Sequence, residues 1–141
     1  MIRAGFGYDI HRLKKGRKLF LGGVRIEHAL GLDGHSDADV LLHALCDALL
    51  GAAGLGDLGD HFPPADSRWR GADSADLLRR VMERVEAAGY EVVNCDLTLL
   101  AEAPRIAPHR QRMRERIAEL TRIDVARVGV KATTNEGLGA V

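Results

Sequence analysis

The chain has 141 residues, of which 46% are apolar and 28% charged, and its basic and acidic side chains balance to a formal net charge of zero. This composition is typical of one globular domain with a sizeable core and excludes an intrinsically disordered chain. The balanced charge argues against a nucleic-acid surface, and no apolar run is long enough to span a membrane. We expect a cytoplasmic domain without a signal peptide, in which Cys46 and Cys95 are reduced core residues.

The first predicted element is a strand over residues 2–11, where apolar residues alternate with glycine or polar residues. Asp9 and His11 are two residues apart, so both side chains lie on the same face of that strand. With a histidine from a helix they would form an Asp-His-His set, which leaves a fourth position open as in catalytic zinc sites. The spacing is equally consistent with a glycine-rich strand that ends in a solvated Asp and His.

A hairpin and a long helix follow. Residues 14–17 predict a solvated basic hairpin loop, and residues 18–26 predict two short strands with a bulge or a close backbone approach at the Gly-Gly pair. Residues 28–33 predict a linker. We predict Ser36 as the N-cap of the helix, because a serine hydroxyl can accept a hydrogen bond from a free backbone N–H.

His43 lies on this helix, with Asp39 one turn before it and Asp47 one turn after it. Apolar residues at helical spacing form a different, core-facing side of the helix. His43 is therefore either a hydrogen-bonded core histidine or the third member of the Asp-His-His set.

The second half of the chain alternates helices and strands. We predict a helix over 74–88 with Asp73 or Ser74 as its cap and a buried stripe made of Leu77, Leu78, Val81, Met82 and Val85. A strand over 90–100 and a proline-containing loop over 101–108 are predicted next. They precede a helix over 109–121, with Met113, Ile117 and Leu120 directed inward, and a strand over 125–131. The order is β, β-hairpin, α, α, β, α, β. It predicts an α+β fold, an α/β sandwich with helices covering one sheet face.

Six motifs occur in a fixed order along the chain. They are Gly-x-Asp-x-His, Gly-His-Ser-Asp-x-Asp-x-x-x-His, Gly-Leu-Gly-Asp-x-Gly, Gly-Ala-Asp-Ser, Ala-x-Ala-Pro-x-x-x-Pro-His and Lys-Ala-Thr-Thr-x-Glu-x-Leu-Gly. Together, from Ile2 to Gly139, they resemble the 2-C-methyl-D-erythritol 2,4-cyclodiphosphate synthase family of non-mevalonate isoprenoid biosynthesis.

The resemblance implies a ferredoxin-like fold with a mixed sheet, and a homotrimer with active sites between subunits. It implies that residues 1–141 form a single cyclodiphosphate synthase domain. Relatives continue with a Gly-Arg-Gly-Glu-Gly stretch and a final strand, so we expect that C-terminal strand to be missing here. Neither nucleic acid nor membrane is an expected partner.

The implied reaction converts 4-diphosphocytidyl-2-C-methyl-D-erythritol 2-phosphate into the cyclic diphosphate with release of CMP. Zinc, or another divalent transition metal, would bind Asp9, His11 and His43. Magnesium or manganese would bridge the substrate diphosphate with help from Glu136. His35 and Thr134 would stabilise the phosphoryl transition state.

The resemblance also implies a set of substrate-binding residues, with the methylerythritol unit held by the loops near residues 57–66 and the cytosine by the loop near residues 101–107. The full set is Asp9, His11, His35, Ser36, Asp57, Leu58, Gly59, Phe62, Asp66, Ala101, Pro104, Arg105, Ile106, Ala107, Thr133, Thr134 and Glu136. Two alternatives stay open at this point. One is a metal-dependent phosphohydrolase that uses the same Asp-His-His site, and the other is a non-enzymatic trimer whose metal serves only stability.

Overall fold

Six short strands and four helices make up a mixed α/β fold, and the computed structural model describes residues 1–141 throughout. The strands are β1 (Leu13–Lys15), β2 (Leu19–Leu21), β3 (Val24–Ile26), β4 (Leu30–Leu32), β5 (Cys95–Leu100) and β6 (Val128–Thr133). The helices are α1 (Val40–Ala52), α2 (Leu58–His61), α3 (Ser74–Ala87) and α4 (Arg110–Thr121). The mixed α/β class predicted from the sequence is confirmed at this level.

The strands form three two-stranded sheets. β1 pairs with β4 and β2 with β3, both antiparallel, whereas β5 and β6 are parallel. The two strands predicted over residues 18–26 are present as β2 and β3, but Gly22 and Gly23, with φ values of 61° and 76°, form the turn between them and not a bulge. The sequence pattern predicts a hairpin loop and a linker for most residues of β1 and β4, which are strands in the structure. Three-residue strands are too short to show the alternation that identifies a strand.

The N-terminal segment (residues 1–11) differs from its prediction, because it makes no backbone hydrogen bonds to any strand. It lies instead against α1. A Cβ added at Gly5 or Gly7 would collide with the backbone carbonyl of Ala48 or Ala44, respectively. Alternation separated the two faces of this segment, but the apolar face is the exposed one, and the pattern could not reveal that the neighbour of the other face is a helix.

The core consists of 27 buried apolar residues contributed by α1, α3, α4 and the strands. The predicted inward residues of α4, Met113, Ile117 and Leu120, are buried. In α3 the predicted stripe is likewise buried, and the Asp73 carboxylate accepts a hydrogen bond from the Ala75 N–H as the N-cap. None of the helices combines the length and apolar composition needed to cross a bilayer.

Helix α1 is capped by Asp39 and not, as predicted, by Ser36. Asp39 is fully buried, and its carboxylate accepts hydrogen bonds from the N–H groups of Leu42 at 3.1 Å, Gly22 at 3.0 Å and Gly23 at 2.7 Å. Burial raises the pKa of Asp39 to about 6, although these N–H donors oppose the rise. The hairpin turn is thereby attached to the helix that carries His43.

Candidate metal centre

Asp9, His11 and His43 lie together, and one ligand atom from each falls within 4.8 Å of the others. The Asp9 Oδ2 atom is 2.9 Å from His11 Nε2 and 3.3 Å from His43 Nδ1. The two imidazole rings meet edge to face, with centroids 5.6 Å apart. The structure thus brings together the three side chains that the sequence had suggested as one set.

Different segments supply the two histidines. His11 comes from the N-terminal segment, where its Nδ1–H donates to the Asp33 carbonyl oxygen at 2.7 Å. When the ring is neutral, that bond leaves the lone pair of Nε2 available to a metal ion bound beside Asp9. His43 comes from α1, one turn after the Asp39 cap, and its side chain is 12% exposed.

The charges at this site favour a cation. Burial alone would raise the pKa of Asp9, but the hydrogen bonds to His11 and His43 outweigh it and hold the pKa of that carboxyl well below its usual range. The hydrogen bond to Asp9 raises the pKa of His11, although burial opposes the charged form. A carboxylate that two imidazoles keep ionised is a strong donor for a metal ion that competes with their protons.

The donor set fits a divalent transition metal. Two imidazole nitrogens and one carboxylate oxygen are the ligand types of zinc and its neighbours, whereas magnesium and calcium prefer oxygen ligands alone. Three protein ligands also leave a coordination position open, as in sites that bind a reacting group.

A cleft of about 1120 Å³ opens beside this group. Asp9 and His11 line it on one side, and Ala101 and Pro104 line it on the other. The Ala101 N–H donates to the Thr133 carbonyl oxygen at 3.1 Å, which ties the loop to the end of β6. Two of the predicted cytosine-site residues therefore share a cavity with two of the predicted metal ligands.

The rest of that loop is less uniform. Arg105 and Ala107 are exposed, whereas Ile106 is 2% exposed and belongs to the core. Only the backbone of Ile106 is available to a ligand, which suits a segment expected to bind largely through backbone groups.

His35 and Ser36 lie on the loop before α1. The His35 side chain is exposed, and its carbonyl oxygen accepts a hydrogen bond from the Gly71 N–H at 2.5 Å. The Ser36 hydroxyl lies 3.3 Å from His43 Nε2. Of these two residues, the structure places Ser36 in direct contact with a member of the metal group.

Thr133 ends β6, and Thr134 and Glu136 follow it as exposed residues. The Glu136 N–H donates to the Thr134 hydroxyl at 3.2 Å, and Glu136 has a φ of 54°. None of the three lines the cleft, although Asn135 between them does.

The loops near residues 57–66 do not line the cleft either. Asp57 and Asp60 form a reciprocal cap on α2 that includes Gly59, and the Leu58 N–H donates to Asp47 at 2.7 Å. Asp47, which accepts this hydrogen bond, lies one helical turn beyond His43 along α1.

The side chains of Phe62 and Asp66 contact residues close to them in the sequence. The Phe62 ring is buried against Trp69, with centroids 4.8 Å apart. Asp66 pairs with Arg68, which holds the pKa of that carboxyl below its usual range. Within one chain, the structure does not bring either side chain to the metal group.

Two residues at the site were missed from the sequence. Ser74, at the start of α3, places its hydroxyl 2.8 Å from His43 Nε2, and Asp37 contacts Ser74 in turn. Ser74 belongs to the Gly-Ala-Asp-Ser motif, for which the sequence predicts only a role in capping the helix. Because it is 31 residues from His43, no local spacing rule could have paired the two.

Comparisons with known proteins agree over nearly the whole chain. The sequence profile of the YgbB family matches residues 2–141. The 2-C-methyl-D-erythritol 2,4-cyclodiphosphate synthase of Symbiobacterium thermophilum is 61% identical over 137 residues, which cover 97% of this chain and 87% of that protein. The protein of the same name from Salinibacter ruber is 59% identical over 140 residues, which cover 99% of this chain and 89% of that protein.

Solved structures give the same result. One described as 2C-methyl-D-erythritol-2,4-cyclodiphosphate synthase in a CDP-bound form matches with a TM-score of 0.91 and 44% identity. The match covers 96% of this chain and 91% of that one. The similarity therefore includes the fold as well as the motifs.

Proposed function

The chain belongs to the YgbB family, and we propose that it catalyses the reaction for which its relatives are named, the formation of 2-C-methyl-D-erythritol 2,4-cyclodiphosphate. The substrate is 4-diphosphocytidyl-2-C-methyl-D-erythritol 2-phosphate, and CMP is released. The pathway is non-mevalonate isoprenoid precursor biosynthesis. The observation that carries the proposal is the Asp9, His11 and His43 group beside a large cleft.

The chemistry is an intramolecular phosphoryl transfer. An oxygen of the 2-phosphate attacks the β-phosphorus, the bond from that phosphorus to the bridging oxygen breaks, and CMP leaves with the electron pair. Such transfers depend mainly on positioning and on neutralising charge, so no protein nucleophile is required. A cleft bordered by the metal group and by the Ala101–Pro104 loop suits a substrate with a diphosphate between two organic ends.

Asp9, His11 and His43 would hold a zinc ion, and Glu136 would contribute to a magnesium or manganese ion at the diphosphate. When bound, such ions supply Lewis acidity and offset the phosphate charge. The protein's own contribution is to keep Asp9 ionised and to direct one nitrogen of each histidine into the site.

The other roles follow the family resemblance. His35 and Thr134 would stabilise charge on the transferring phosphoryl group, and Thr133 would contact phosphate. Ser36, whose hydroxyl lies 3.3 Å from His43 Nε2, would contact the substrate beside that histidine. Asp57–Gly59, with Phe62 and Asp66, would hold the methylerythritol unit.

The cytosine would bind along the loop from Ala101 to Ala107. Support comes from Ala101 and Pro104, which line the cleft, and from the exposed Arg105, whose guanidinium can donate to phosphate. Ile106 and Ala107 would use backbone groups.

We further propose a single ferredoxin-like domain that assembles as a homotrimer in the cytoplasm, with active sites between subunits. Support comes from the N-terminal segment, where Ile2, Phe6 and Tyr8 are 92%, 86% and 65% exposed. Apolar side chains in one contiguous segment are costly in water and are typical of an interface. A neighbouring subunit would supply the substrate-binding loops that do not reach the metal group of their own chain.

Phosphorus NMR tests the reaction directly. Protein, zinc, magnesium and the cytidylyl methylerythritol 2-phosphate should give two coupled cyclic diphosphate resonances together with CMP. CMP with only linear phosphates would identify a phosphohydrolase instead. His43→Ala should abolish product while circular dichroism shows a retained fold, and an unfolded His43→Ala protein would favour a purely structural metal.

Light scattering tests the assembly. We expect a particle of three times the chain mass, and Phe6→Glu should reduce it because a charge replaces an exposed apolar ring. Glu91→Gln, which changes charge at an exposed residue outside the N-terminal segment, is the matched control. A wild-type protein that is monomeric at all concentrations would contradict the trimer.

A further inference from the structure

His43 uses its two ring nitrogens in opposite directions. Nδ1 faces Asp9 in the metal group, and Nε2 faces away from it towards the Ser74 hydroxyl at 2.8 Å. Ser74 is fully buried, and it begins α3, which packs against the helix that carries His43. The far side of the imidazole is therefore held by a second, separate element of the fold.

We propose that Ser74 and Asp37 are positioning residues that fix the tautomer and the orientation of His43 for metal binding. This inference rests on the metal site of the proposed function and deepens it. Neither residue would touch the metal or the substrate.

The hydrogen bonds of Ser74 define where its proton goes. The Ser74 hydroxyl contacts the Asp37 Oδ1 atom, and a carboxylate can only accept. The single hydroxyl proton is therefore donated to Asp37. The lone pairs of Oγ then remain to accept a proton from His43 Nε2.

The consequence for His43 is a defined tautomer. With its proton on Nε2, the neutral ring leaves the lone pair of Nδ1 available to a metal ion bound between His43, Asp9 and His11. His11 has the reverse arrangement, because its Nδ1–H donates to the Asp33 carbonyl and its Nε2 faces the group. Each histidine thus has an acceptor behind it and a lone pair in front, which is how metal-binding histidines are usually oriented.

Asp37 is itself held in place. Its Oδ2 atom accepts the Ser74 N–H at 2.9 Å, its Oδ1 atom accepts the Asp39 N–H at 3.1 Å, and its own N–H donates to the Ala72 carbonyl at 3.1 Å. It joins the loop before α1 to the loop before α3. Because the Asp37 carboxylate is held in one position, it orients the Ser74 hydroxyl, and that hydroxyl orients the His43 ring.

The Ser36 hydroxyl is a weaker candidate for the same role. It lies 3.3 Å from Nε2 and already accepts the Ala38 N–H at 3.0 Å. Unlike Ser74, it has no charged partner behind it to take its proton.

Metal titration of four metal-free proteins tests the proposal. Wild type, Ser74→Ala, Asp37→Asn and Asp73→Ala are titrated with Co²⁺, whose visible absorption reports the ligand geometry, and then with Zn²⁺ against a chromophoric chelator. We expect Ser74→Ala and Asp37→Asn to bind about 10- to 100-fold more weakly than wild type, which is the usual effect of removing the group behind a metal-binding histidine. Their Co²⁺ spectra should also change, because the His43 ring is free to rotate.

Asp73→Ala is the matched control. Asp73 caps the same helix next to Ser74, and its carboxylate accepts the Ala75 N–H without contacting His43. This variant should lower the melting temperature and keep wild-type affinity and spectrum. A purely structural role for Ser74 would instead give Ser74→Ala the same pattern as Asp73→Ala.

The outcomes separate the two proposals. Wild-type affinity and spectrum in folded Ser74→Ala and Asp37→Asn proteins would overturn the positioning role, while cyclic product from the wild-type enzyme would leave the proposed function intact. A wild-type protein that binds neither Co²⁺ nor Zn²⁺ would overturn the positioning role together with the metal site. If Ser74→Ala fails to fold, Asp37→Asn decides.

Discussion

Replacing Gly7 with alanine should disrupt the metal group while leaving the core folded. A Cβ at Gly7 would lie 2.8 Å from the Ala44 carbonyl carbon and 2.9 Å from the Ala48 nitrogen, and closer still to the Ala44 oxygen. Carbon contacts relax to about 3.5 Å or more, so the N-terminal segment has to move from α1 by roughly 1 Å. The backbone of α1 cannot yield, because it is held by its own helical hydrogen bonds and by the core.

That movement acts on Asp9, two residues further along. Asp9 now lies 3.3 Å from His43 Nδ1, and a metal site tolerates errors of only about 0.2 Å in its ligand distances. We expect zinc affinity to fall at least about 10-fold and turnover about 100-fold, the latter being the usual effect of a 1 Å misplacement. The free energy of unfolding should change by no more than about 1–3 kcal/mol, the typical cost of overpacking.

The assay is zinc competition titration together with thermal unfolding and phosphorus NMR. Gly51→Ala is the control on the same helix, because a Cβ there meets nothing within 4 Å. It should keep zinc affinity and stabilise the protein by about 0.5–1 kcal/mol, as alanine does in a helix. Wild-type zinc affinity in Gly7→Ala would refute the packing of the N-terminal segment against α1.

Three further predictions concern buried groups and the metal. Asp39→Ala should cost about 3 kcal/mol, since three N–H groups, two of them buried, lose their acceptor. Asp39→Asn should recover only part of this loss, because one carboxylate oxygen is replaced by an amide nitrogen that donates and faces an N–H. An unchanged melting temperature in Asp39→Ala would contradict the cap. Burial and the nearby Asp96 raise the pKa of Cys95 to about 11. The rate of its alkylation should therefore be low at pH 8 and should rise about tenfold with each pH unit up to that pKa. Rapid alkylation at pH 8 would contradict the burial of this thiol. Removing the metal with a chelator should abolish cyclisation and lower the melting temperature, because zinc at 100 times its Kd stabilises the folded state by about 2.7 kcal/mol. Calorimetry before and after zinc is restored measures the change. An unchanged unfolding transition would count against the metal site.

Local sequence patterns predicted those elements whose signals are themselves local. The buried stripe and the Asp73 cap of α3 follow from helical spacing and from capping chemistry within a few residues. The pairing of Asp9 with His11 on one face likewise required only their separation of two residues. For the same reason the inward residues of α4 were predicted, although the helix begins one residue later than expected.

The failures have a common physical origin in distant contacts. Ser36 and Asp39 are both good capping residues, and Asp39 is the cap because its carboxylate also accepts the N–H groups of Gly22 and Gly23. Ser74 was missed for a similar reason, since its link to His43 exists only once α1 and α3 have packed. Sequence patterns predicted the Asp-His-His group, which the structure brings together, whereas the groups behind it depend on tertiary structure.

Side-chain hydrogen bonds hold the N-terminal segment at its two ends, and between them only its packing against α1 keeps it in place. The Arg3 guanidinium donates to the Ala52 carbonyl at 3.3 Å and stacks over the Tyr90 ring, and the Asp9 and His11 side chains make the other attachment. In between, no backbone ladder joins it to its own chain. In an isolated subunit it should therefore behave as a separate opening unit that detaches without unfolding the core, whereas trimer assembly should hold it in place.

If the segment opens separately from the core, activity and stability depend on different residues. Substitutions that loosen this segment would diminish activity with little effect on overall melting, and substitutions that strengthen the core would leave the activity unchanged. Thermal stability and catalytic activity can then change independently, because Asp9 and His11 lie on a segment that is not part of the hydrophobic core. In an isolated subunit, amide exchange would reveal this as fast labelling of residues 2–8 alongside slow labelling of α1 and α3, and trimer assembly should slow the labelling of residues 2–8.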